Sequence, residues 1–218
     1  MTGRLPRAAL CIWTGIDPQH EADFNQWYDR EHMQERVSIT GFQYARRFKC
    51  LDRGERPYLA LYTTQNLGVF RTDQYQNAFN HQTEWSQRNF ARMRDTQRRV
   101  GELRVERGGG EGGALSLFIL PSEKVNDERI ASLLDEAVVG EELTSATMLV
   151  TDPSLSVSLT AKAAPLPPAE AVVMVEGSNP EATRRAANAV AQAFDVAVVR
   201  TFGLLWRLAA SDQKEQPS

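Results

Sequence analysis

The sequence predicts an α+β protein in which two tandem ferredoxin-like β-α-β-β-α-β repeats form an eight-stranded barrel within one chain. Three observations lead to this prediction. Strand-like and helix-like segments follow the same order in both halves, and a glycine-rich stretch, RGGGEGG at 107–113, separates the halves near the midpoint. Each repeat places both helices on one face of a four-stranded sheet and leaves the other face bare. Two bare faces in one chain can cover each other, so we expect a small-ligand pocket between the two sheets.

The first predicted repeat, residues 1–107, is recognised from its hydrophobic periodicity. A short apolar run suits a buried strand, and the acidic stretch that follows it, with a proline near its start, favours a helix. Two later runs alternate aromatic and polar residues, which is typical of paired strands. The predicted elements are strand 8–16, helix 17–36, strands 41–50 and 56–64, a helical region 68–94 broken near residues 80 and 81, and strand 97–107.

The second half repeats this order with fewer aromatic residues. We assign 108–113 as a glycine-rich linker, 114–210 as a degenerate second repeat and 211–218 as a disordered polar tail. The predicted elements are strand 114–121, helix 126–138, strands 143–152 and 154–161, an irregular connection through 161–170, strand 171–177, helix 178–194 and strand 196–208.

Charge is distributed unevenly between the halves. Residues 1–107 contain 17 Lys plus Arg against 13 acids, and residues 108–218 contain 8 against 15, so the halves carry roughly +4 and −7. We therefore expect the halves to attract each other. All three histidines lie in the first half, which is where we expect any chemistry to be located.

Several classes of protein are disfavoured by the sequence. No apolar run approaches the length of a membrane span and no secretory signal is recognisable, so the expected location is cytoplasmic, without a membrane partner. The pI of about 5.7 and the acids between the arginines argue against nucleic acid. The cysteines Cys11 and Cys50 lack zinc or disulfide spacing, and three scattered histidines form no metal triad. Phosphate-loop, dinucleotide and GxSxG motifs are also absent from the sequence.

The stretch FNQWYDREHMQER, residues 24–36, is the densest group of functional residue types. On a regular helix at 100° per residue, Phe24, Trp27, Tyr28, Glu31 and Glu35 share a broad face that should pack on the sheet. His32 belongs to the neighbouring stripe, and its imidazole is our candidate general base, with an adjacent carboxylate raising its pKa. A histidine that only caps helix carbonyls is the alternative, and Glu31 and Glu35 are equally explained as ion-paired residues at a helix terminus.

The two predicted strands after this helix contribute further candidates. Tyr44, Tyr58 and Tyr62 occupy alternating positions and are candidates to line the barrel interior. Arg46 and Arg47 point to opposite faces of one strand, so one of them can enter the barrel and bind an anionic ligand. Core packing of the tyrosines and an ion pair between an arginine and Glu31 are the alternatives.

Residues 13–48, followed by RPYLALYTT, resemble the dimeric α+β barrel superfamily, in particular EthD-like and related proteins with an FNxWYxxEHxxER helix before a GFxxARR[YF] strand. The resemblance covers residues 11–64 well and 65–107 loosely, and in 114–210 only the order of elements agrees. Gln34 stands where many similar proteins have proline. Similar proteins include isomerases, polyketide cyclases and haem-degrading monooxygenases, so the resemblance implies a small-molecule ligand and leaves the reaction open.

The sequence and the resemblance together lead to a functional hypothesis. We expect a cofactor-independent enzyme that isomerises or cyclises an aromatic or lactone-like acid by proton transfer. A non-enzymatic carrier or sensor is the first alternative, and a haem-binding monooxygenase-like protein, with His32 or His81 as the iron ligand, is the second. A homodimer of the fused barrel is left open. The expected catalytic residues are His32 and Glu31, with no metal ligands, and the expected substrate-binding residues are Asn25, Trp27, Tyr28, Arg36, Tyr44, Arg46, Arg47 and Tyr62.

Overall fold

The protein is described by a computed structural model that covers residues 5–52, 54–157 and 165–212. Its strands form one closed antiparallel barrel in the order β1-β3-β2-β8-β5-β7-β6-β4, which confirms the predicted fold class. The strands are β1 (Ala8–Ile16), β2 (Phe42–Cys50), β3 (Tyr58–Thr64), β4 (Met93–Gly108), β5 (Ala114–Pro121), β6 (Leu143–Thr151), β7 (Glu170–Gly177) and β8 (Arg200–Ala209).

The helices pack outside the barrel. The α-helices are α1 (Glu21–Trp27), α2 (Met33–Val37), α3 (Asp73–Asn80), α4 (Glu84–Arg92), α5 (Asp127–Val138) and α6 (Pro180–Gln192). A π-helical turn, Tyr28–His32, joins α1 to α2 without a break. Short 3₁₀ turns occupy Pro18–His20, Leu67–Arg71, Ser122–Lys124 and Ala210–Asp212.

The two halves of the barrel have the same strand order. The first four strands are arranged β4-β1-β3-β2 and the last four β8-β5-β7-β6, and the halves meet where β2 pairs with β8 and β4 pairs with β6. Each half uses its outer sheet face to pack its own helices, while the inner faces share one core. The chain therefore has two helix–sheet cores and one barrel core.

Apolar side chains from both halves fill the middle of the barrel, so the pocket expected between the sheets is confined to one end of it. A polar cavity of about 210 Å³ remains at one end, near Arg46 and Glu176. The side chains that fill the middle are large and branched, so they leave no central hollow of the kind we expected. They are Ala9, Cys11, Phe48, Leu59, Leu61, Leu103, Leu115, Leu117, Leu149, Val172, Met174 and Phe202.

Two strand predictions in the second half were wrong in part. Residues 153–157 form turns and bends instead of a strand, because the Asp152 carboxylate accepts hydrogen bonds from the backbone N–H groups of Ser154 and Leu155. The remaining residues of that predicted strand, 158–161, lie outside the described residues. The last strand begins at Arg200 rather than at residue 196.

The C-terminal prediction concerns residues 211–218. Residues 211 and 212 belong to the last 3₁₀ turn, where the Asp212 carboxylate accepts a hydrogen bond from the backbone N–H of Ala209. The rest of the segment predicted as a disordered tail lies outside the described residues.

Ion pairs between the halves agree with the uneven distribution of charge. In the part of the chain that the structure describes, five pairs join an arginine of the first half to an acid of the second, and one runs in the opposite direction. The five are Arg46–Glu176, Arg71–Asp152, Arg99–Glu170, Arg104–Asp127 and Arg107–Asp135, and the sixth is Arg184–Asp52.

No helix in the described part of the chain is both long enough and apolar enough to cross a bilayer.

Candidate functional site

A cavity of about 100 Å³ lies in the first repeat, between the helices and the outer face of the sheet. Strands β1, β3 and β4 form its floor, and the α1–α2 segment, α3 and α4 form its walls. Five of the residues that line it are apolar: Leu10, Ile12, Phe79, Phe90 and Met93. The others are Tyr28, His32, Arg36, Tyr62, Tyr75, Thr96 and Arg98.

The π turn determines which residues of the α1–α2 segment face this cavity. The backbone N–H of Met33 donates to the carbonyl oxygen of Tyr28, five residues earlier, so the turn holds one residue more than an α-turn. Up to the first residue of the turn, Phe24, Trp27 and Tyr28 are buried, as predicted. From the last residue of the turn onward, the buried set is displaced by one position along the sequence. Its members are His32, Met33, Arg36 and Val37.

His32 packs tightly among aromatic rings. Its ring lies 4.3 Å from the Trp27 ring between centroids, in a tilted stack, and it meets Tyr28 and Phe90 edge-on. Only 6% of the residue is exposed, and its Nδ1 has no hydrogen-bond partner among the described residues. A buried imidazole without a partner is costly, so this atom is a candidate for contact with water or a ligand.

The surroundings of His32 lower its pKa, whereas an adjacent carboxylate was expected to raise it. Burial of the ring is the largest cause, and the positive charges of Arg36 and Arg47 act in the same direction. The nearest acid is Glu35, whose Oε2 lies 4.0 Å from Nδ1, too far for a hydrogen bond. The imidazole is therefore neutral at pH 7 and available as a proton acceptor.

Arg36 is the most unusual polar residue of the cavity. It is only 4% exposed and lines the cavity, yet its guanidinium makes no hydrogen bond or ion pair with any residue that the structure describes. Buried arginines are ordinarily paired, because an isolated charge loses its hydration.

Two tyrosines meet beside His32 and Arg36. Burial raises the pKa of Tyr62 well above its usual value and also raises that of Tyr28. The Tyr62 hydroxyl is buried without a hydrogen bond of normal geometry in the described part of the chain, although the neighbouring Tyr28 hydroxyl influences its pKa. Both side chains are therefore neutral and can act as hydrogen-bond donors.

Strand β4 and helix α3 supply cavity residues that the sequence analysis did not select. Arg98 lies directly opposite Ile12 on the neighbouring strand, and its guanidinium donates to the Tyr75 hydroxyl at 3.1 Å. Thr96 and Phe79 also line the cavity. The sequence predicts a strand over 97–107, but nothing local identifies Arg98 as a residue above a cavity.

Arg47 holds the α1–α2 segment against the sheet. Its guanidinium donates to the Asp29 carboxylate at 3.0 Å and to the Asn25 side-chain oxygen at 2.8 Å, and it stacks 4.1 Å from the Tyr28 ring centroid. Trp206 of the second repeat donates to the same Asp29 oxygen at 2.7 Å. Neither Arg47 nor Asn25 lines the cavity.

Arg46 and Tyr44 belong to the other cavity, at the end of the barrel. Arg46 donates to both carboxylate oxygens of Glu176, at 2.5 and 2.9 Å, and neither residue contacts the helix–sheet cavity. The two arginines thus point to opposite faces of β2, as predicted, and each pairs with an acid other than Glu31. Tyr58 and Tyr62 were expected to line the barrel interior, but they face the helices. Period-two alternation separates the two faces of a strand without revealing which face lies inside the barrel.

Glu31 and Trp27 connect the helices to each other. The Glu31 carboxylate accepts from the hydroxyl groups of Thr83 and Ser86, at 2.6 and 3.1 Å, at the start of α4. Trp27 donates from its indole N–H to the Ser86 hydroxyl at 3.0 Å. Glu31 lies in the π turn and makes no ion pair with a described residue, so the expected ion-paired helix terminus is not what its carboxylate forms, and Glu31 does not line the cavity.

The residues around the cavity do not fit a haem group. The cavity is small compared with the roughly 300–1,000 Å³ of ordinary ligand pockets. His81, the other candidate iron ligand, is exposed at the end of α3, with its Nδ1 3.1 Å from the Asn77 carbonyl oxygen. Within the described ranges, no three His, Cys, Asp or Glu side chains are grouped in a way that could hold a metal ion.

Comparison with known proteins supports the barrel fold. No family model and no curated protein matches the chain. An anthrone oxidase-like protein superposes with a TM-score of 0.59 at 11% identity, over 96% of this chain and 94% of its own. A proposed monooxygenase from Lactobacillus acidophilus NCFM gives 0.57 at 8% identity, over 94% and 97%.

A haem-binding protein from Thermus thermophilus gives a TM-score of 0.50 at 10% identity, over 92% of this chain and 91% of its own. These proteins share the dimeric α+β barrel fold with this chain, and at such low identity the likeness shows the fold alone. The narrower EthD-like resemblance is not confirmed.

Proposed function

We propose that the protein is a small-molecule oxygenase that acts without haem on an aromatic substrate bound in the helix–sheet cavity. The observation that carries this proposal is the pairing of an apolar, aromatic cavity with a neutral buried imidazole and an arginine that lacks a partner among the described residues. The similar structures include an anthrone oxidase-like protein and a proposed monooxygenase, which favours oxygenation over the isomerisation or cyclisation expected from the sequence.

The proposed reaction keeps the proton transfer expected from the sequence and adds dioxygen as co-substrate. His32 accepts a proton from an activated methylene or hydroxyl group of the substrate, which leaves an electron-rich carbanion or enolate. Dioxygen oxidises this anion, so that R₂CH₂ and O₂ give R₂C=O and H₂O. One oxygen atom enters the substrate, and the other leaves as water with the two hydrogens.

The chain itself contributes binding, orientation and exclusion of water. Phe90 and Met93 enclose the ring system, and the Tyr28 hydroxyl can donate a hydrogen bond to a substrate oxygen. An enclosed apolar site also strengthens the electrostatic effect of Arg36 on an anionic intermediate.

Oxygen consumption tests the proposal directly. Purified protein is mixed with single-ring hydroxylated and methylene-activated aromatics, which suit a cavity of about 100 Å³, while dissolved oxygen and the carbonyl product are measured. We expect His32→Gln to lower kcat at least about tenfold, since a general base contributes roughly 10² to 10⁴. His81→Gln, at an exposed helix end, serves as the matched control and should stay within about twofold of the unmodified protein.

Two other outcomes would decide against the proposal. Tight binding of these aromatics with no oxygen uptake would favour the carrier or sensor. A Soret band after addition of haem, lost in His32→Gln and retained in His81→Gln, would show that the cavity opens to accept haem and would favour the haem-binding alternative.

A further inference from the structure

The lining of the cavity has an excess of positive charge, because it contains arginines and, among the described residues, no acidic one. Two arginines, Arg36 and Arg98, are among the residues that line it, and none of the lining residues is an aspartate or glutamate. The Arg98 guanidinium donates to the Tyr75 hydroxyl and not to a carboxylate. The Arg36 guanidinium has neither a hydrogen bond nor an ion pair in the described part of the chain.

The acids nearest in sequence to Arg36 interact with other groups. Asp23 accepts from Trp85, Asn89 and Arg92, and Asp29 accepts from Arg47 and Trp206. Glu31 accepts from Thr83 and Ser86. The side chain of Glu35 is 36% exposed, and its Oε2 lies 4.0 Å from the Nδ1 of His32. Glu35 makes no ion pair with Arg36, although, against the larger rise caused by burial and by Glu31, the charge of Arg36 acts to lower the pKa of the Glu35 carboxyl.

An unpaired guanidinium in this position favours a ligand with a negatively charged oxygen. Its planar N–H groups donate to anionic oxygens with good geometry, and partial burial makes the attraction stronger than it would be in water. A neutral ligand would leave the charge of Arg36 uncompensated, which costs free energy.

We propose that the substrate binds as a phenolate or enolate, with its ionised oxygen on the Arg36 guanidinium. This inference rests on the proposed function and extends it, because an ionised phenol or enol is the form whose ring carbon is electron-rich enough to react with dioxygen. Arg36 therefore lowers the pKa of the bound hydroxyl, and the electron density that the ionised oxygen returns to the ring activates the carbon. An aromatic carboxylate would satisfy the same arginine, yet its charge stays on the carboxyl group and does not activate the ring.

The test uses three probes of nearly equal size: 4-nitrophenol, 4-nitrobenzoate and neutral 4-nitrotoluene. Binding is followed by quenching of tryptophan fluorescence, since Trp27 stacks on His32 next to the cavity, with calorimetry as a check. Ionisation of bound 4-nitrophenol is followed by its visible absorption as the pH is raised. The variants are Arg36→Gln and Arg36→Lys, and the control is Arg30→Gln, an exposed arginine of the same helical segment.

We expect the bound 4-nitrophenol to ionise about one pH unit lower than free 4-nitrophenol, which corresponds to about tenfold tighter binding of the phenolate. Arg36→Gln should remove this effect, Arg36→Lys should restore part of it, and Arg30→Gln should behave as the unmodified protein. Binding of neutral 4-nitrotoluene should not weaken in Arg36→Gln, because that variant removes the charge which a neutral ligand leaves uncompensated.

Two results would overturn the inference. One is equal binding and ionisation of 4-nitrophenol in Arg36→Gln and the unmodified protein, and the other is a carboxylate that binds more tightly than the phenolate. These outcomes are separate from failure of the proposed function. A lowered pKa of the bound phenol without oxygen uptake supports the anion site at Arg36 and rejects the oxygenase function. Oxygen uptake that does not depend on Arg36 supports the oxygenase function and rejects the anion site.

Discussion

His32 couples the stability of the protein to pH, because its pKa is lower in the folded state than in the unfolded chain. Between the unfolded value of about 6.5 and the lower folded value, the unfolded state binds the proton and the folded state does not. Lowering the pH through this window therefore favours unfolding. The groups that face the ring are Arg36, Arg47, Glu35 and the aromatic side chains around it.

We predict that the free energy of unfolding falls between pH 7.5 and pH 5.5, and that His32→Gln removes about 1 kcal/mol of this fall. Urea denaturation at each pH measures the effect. His81→Gln, whose side chain is exposed, should retain the full dependence of the unmodified protein. Equal pH dependence in His32→Gln and the unmodified protein would show that the ring is not held neutral.

Arg36 and Arg47 are both buried, but within the described residues only the Arg47 guanidinium has partners. We predict that Arg36→Met raises the free energy of unfolding by about 1 kcal/mol, because it replaces an uncompensated charge by an apolar side chain of similar length. Arg47→Met should lower it by about 2 kcal/mol, because it removes the contacts with Asp29, Asn25 and the Tyr28 ring. The midpoints of urea denaturation of the two variants, compared with that of the unmodified protein, measure both changes in stability. A clear loss of stability in Arg36→Met would mean that Arg36 is a packing residue.

At the scale of the element, the α1–α2 segment shows where prediction from sequence succeeds and where it ends. Its boundaries were predicted well, since Pro18 and the apolar periodicity mark the start and course of a helix. The face that it presents was predicted only as far as Tyr28. The π turn contains one extra residue, so each residue from His32 onward occupies the helical position that the residue before it would have in a regular α-helix. With this correction the buried residues fall on one regular helical face. They are Phe24, Trp27, Tyr28, His32, Met33, Arg36 and Val37.

A regular helix at 100° per residue therefore placed Glu31 and Glu35 where His32 and Arg36 lie. No local signal in the sequence distinguishes a π turn from an α turn, because both are built from the same helix-forming residues. Similarly, Arg98 could not be selected, since its role depends on α3 and α4 covering that part of β4.

The π turn itself can be tested by deletion. Removing Arg30, an exposed residue within the turn, should convert it to an α-turn and keep His32 and Arg36 on the sheet face. We predict that this deletion keeps the fold and changes stability by less than about 1 kcal/mol, while ligand binding weakens because the imidazole shifts.

The matched control removes Gln34 from α2 instead. This deletion rotates Glu35, Arg36 and Val37 by about 100° and takes the buried positions off the sheet. We expect a loss of about 3 kcal/mol or more, since Val37 and Arg36 leave the core. Equal effects of the two deletions, measured by thermal and urea unfolding, would contradict this account of the turn.

At the scale of the whole molecule, the repeat order and the closed barrel followed from the sequence, and the location of the cavity did not. The order of elements determines which strands pair, and two bare sheet faces in one chain must cover each other. How completely side chains fill the space between them depends on packing of residues that are distant in sequence. Large side chains such as Phe48, Phe118 and Phe202 are buried completely, but Phe118 packs under the helices and the other two fill the barrel.

The two helix–sheet layers also differ, which explains why one repeat holds the candidate site. The layer of the second repeat is packed with small and branched apolar residues, among them Ile130, Leu134, Ala187 and Val190. The corresponding layer of the first repeat contains rings and long side chains whose shapes leave a gap beside His32. Since the chain has its three histidines in the first half, the site is expected once per chain and not twice.

The pair formed by Arg46 and Glu176 joins the two repeats inside the barrel, where both side chains are nearly fully buried. We predict that Glu176→Leu lowers the free energy of unfolding by about 3–5 kcal/mol, because it leaves the Arg46 guanidinium buried without its partner. The double variant Arg46→Met/Glu176→Leu should recover most of this loss, since two apolar side chains replace a desolvated pair.

A double-mutant cycle by urea denaturation measures the coupling between these residues. The exposed inter-repeat pair Arg104–Asp127 provides the control, and its cycle should give less than about 1 kcal/mol. If the two cycles gave equal coupling, the barrel interior would be as well hydrated as the surface near Arg104. The polar cavity of about 210 Å³ beside Arg46 would then admit enough water to screen the pair, and the repeats would be held together by their apolar core and strand pairing alone.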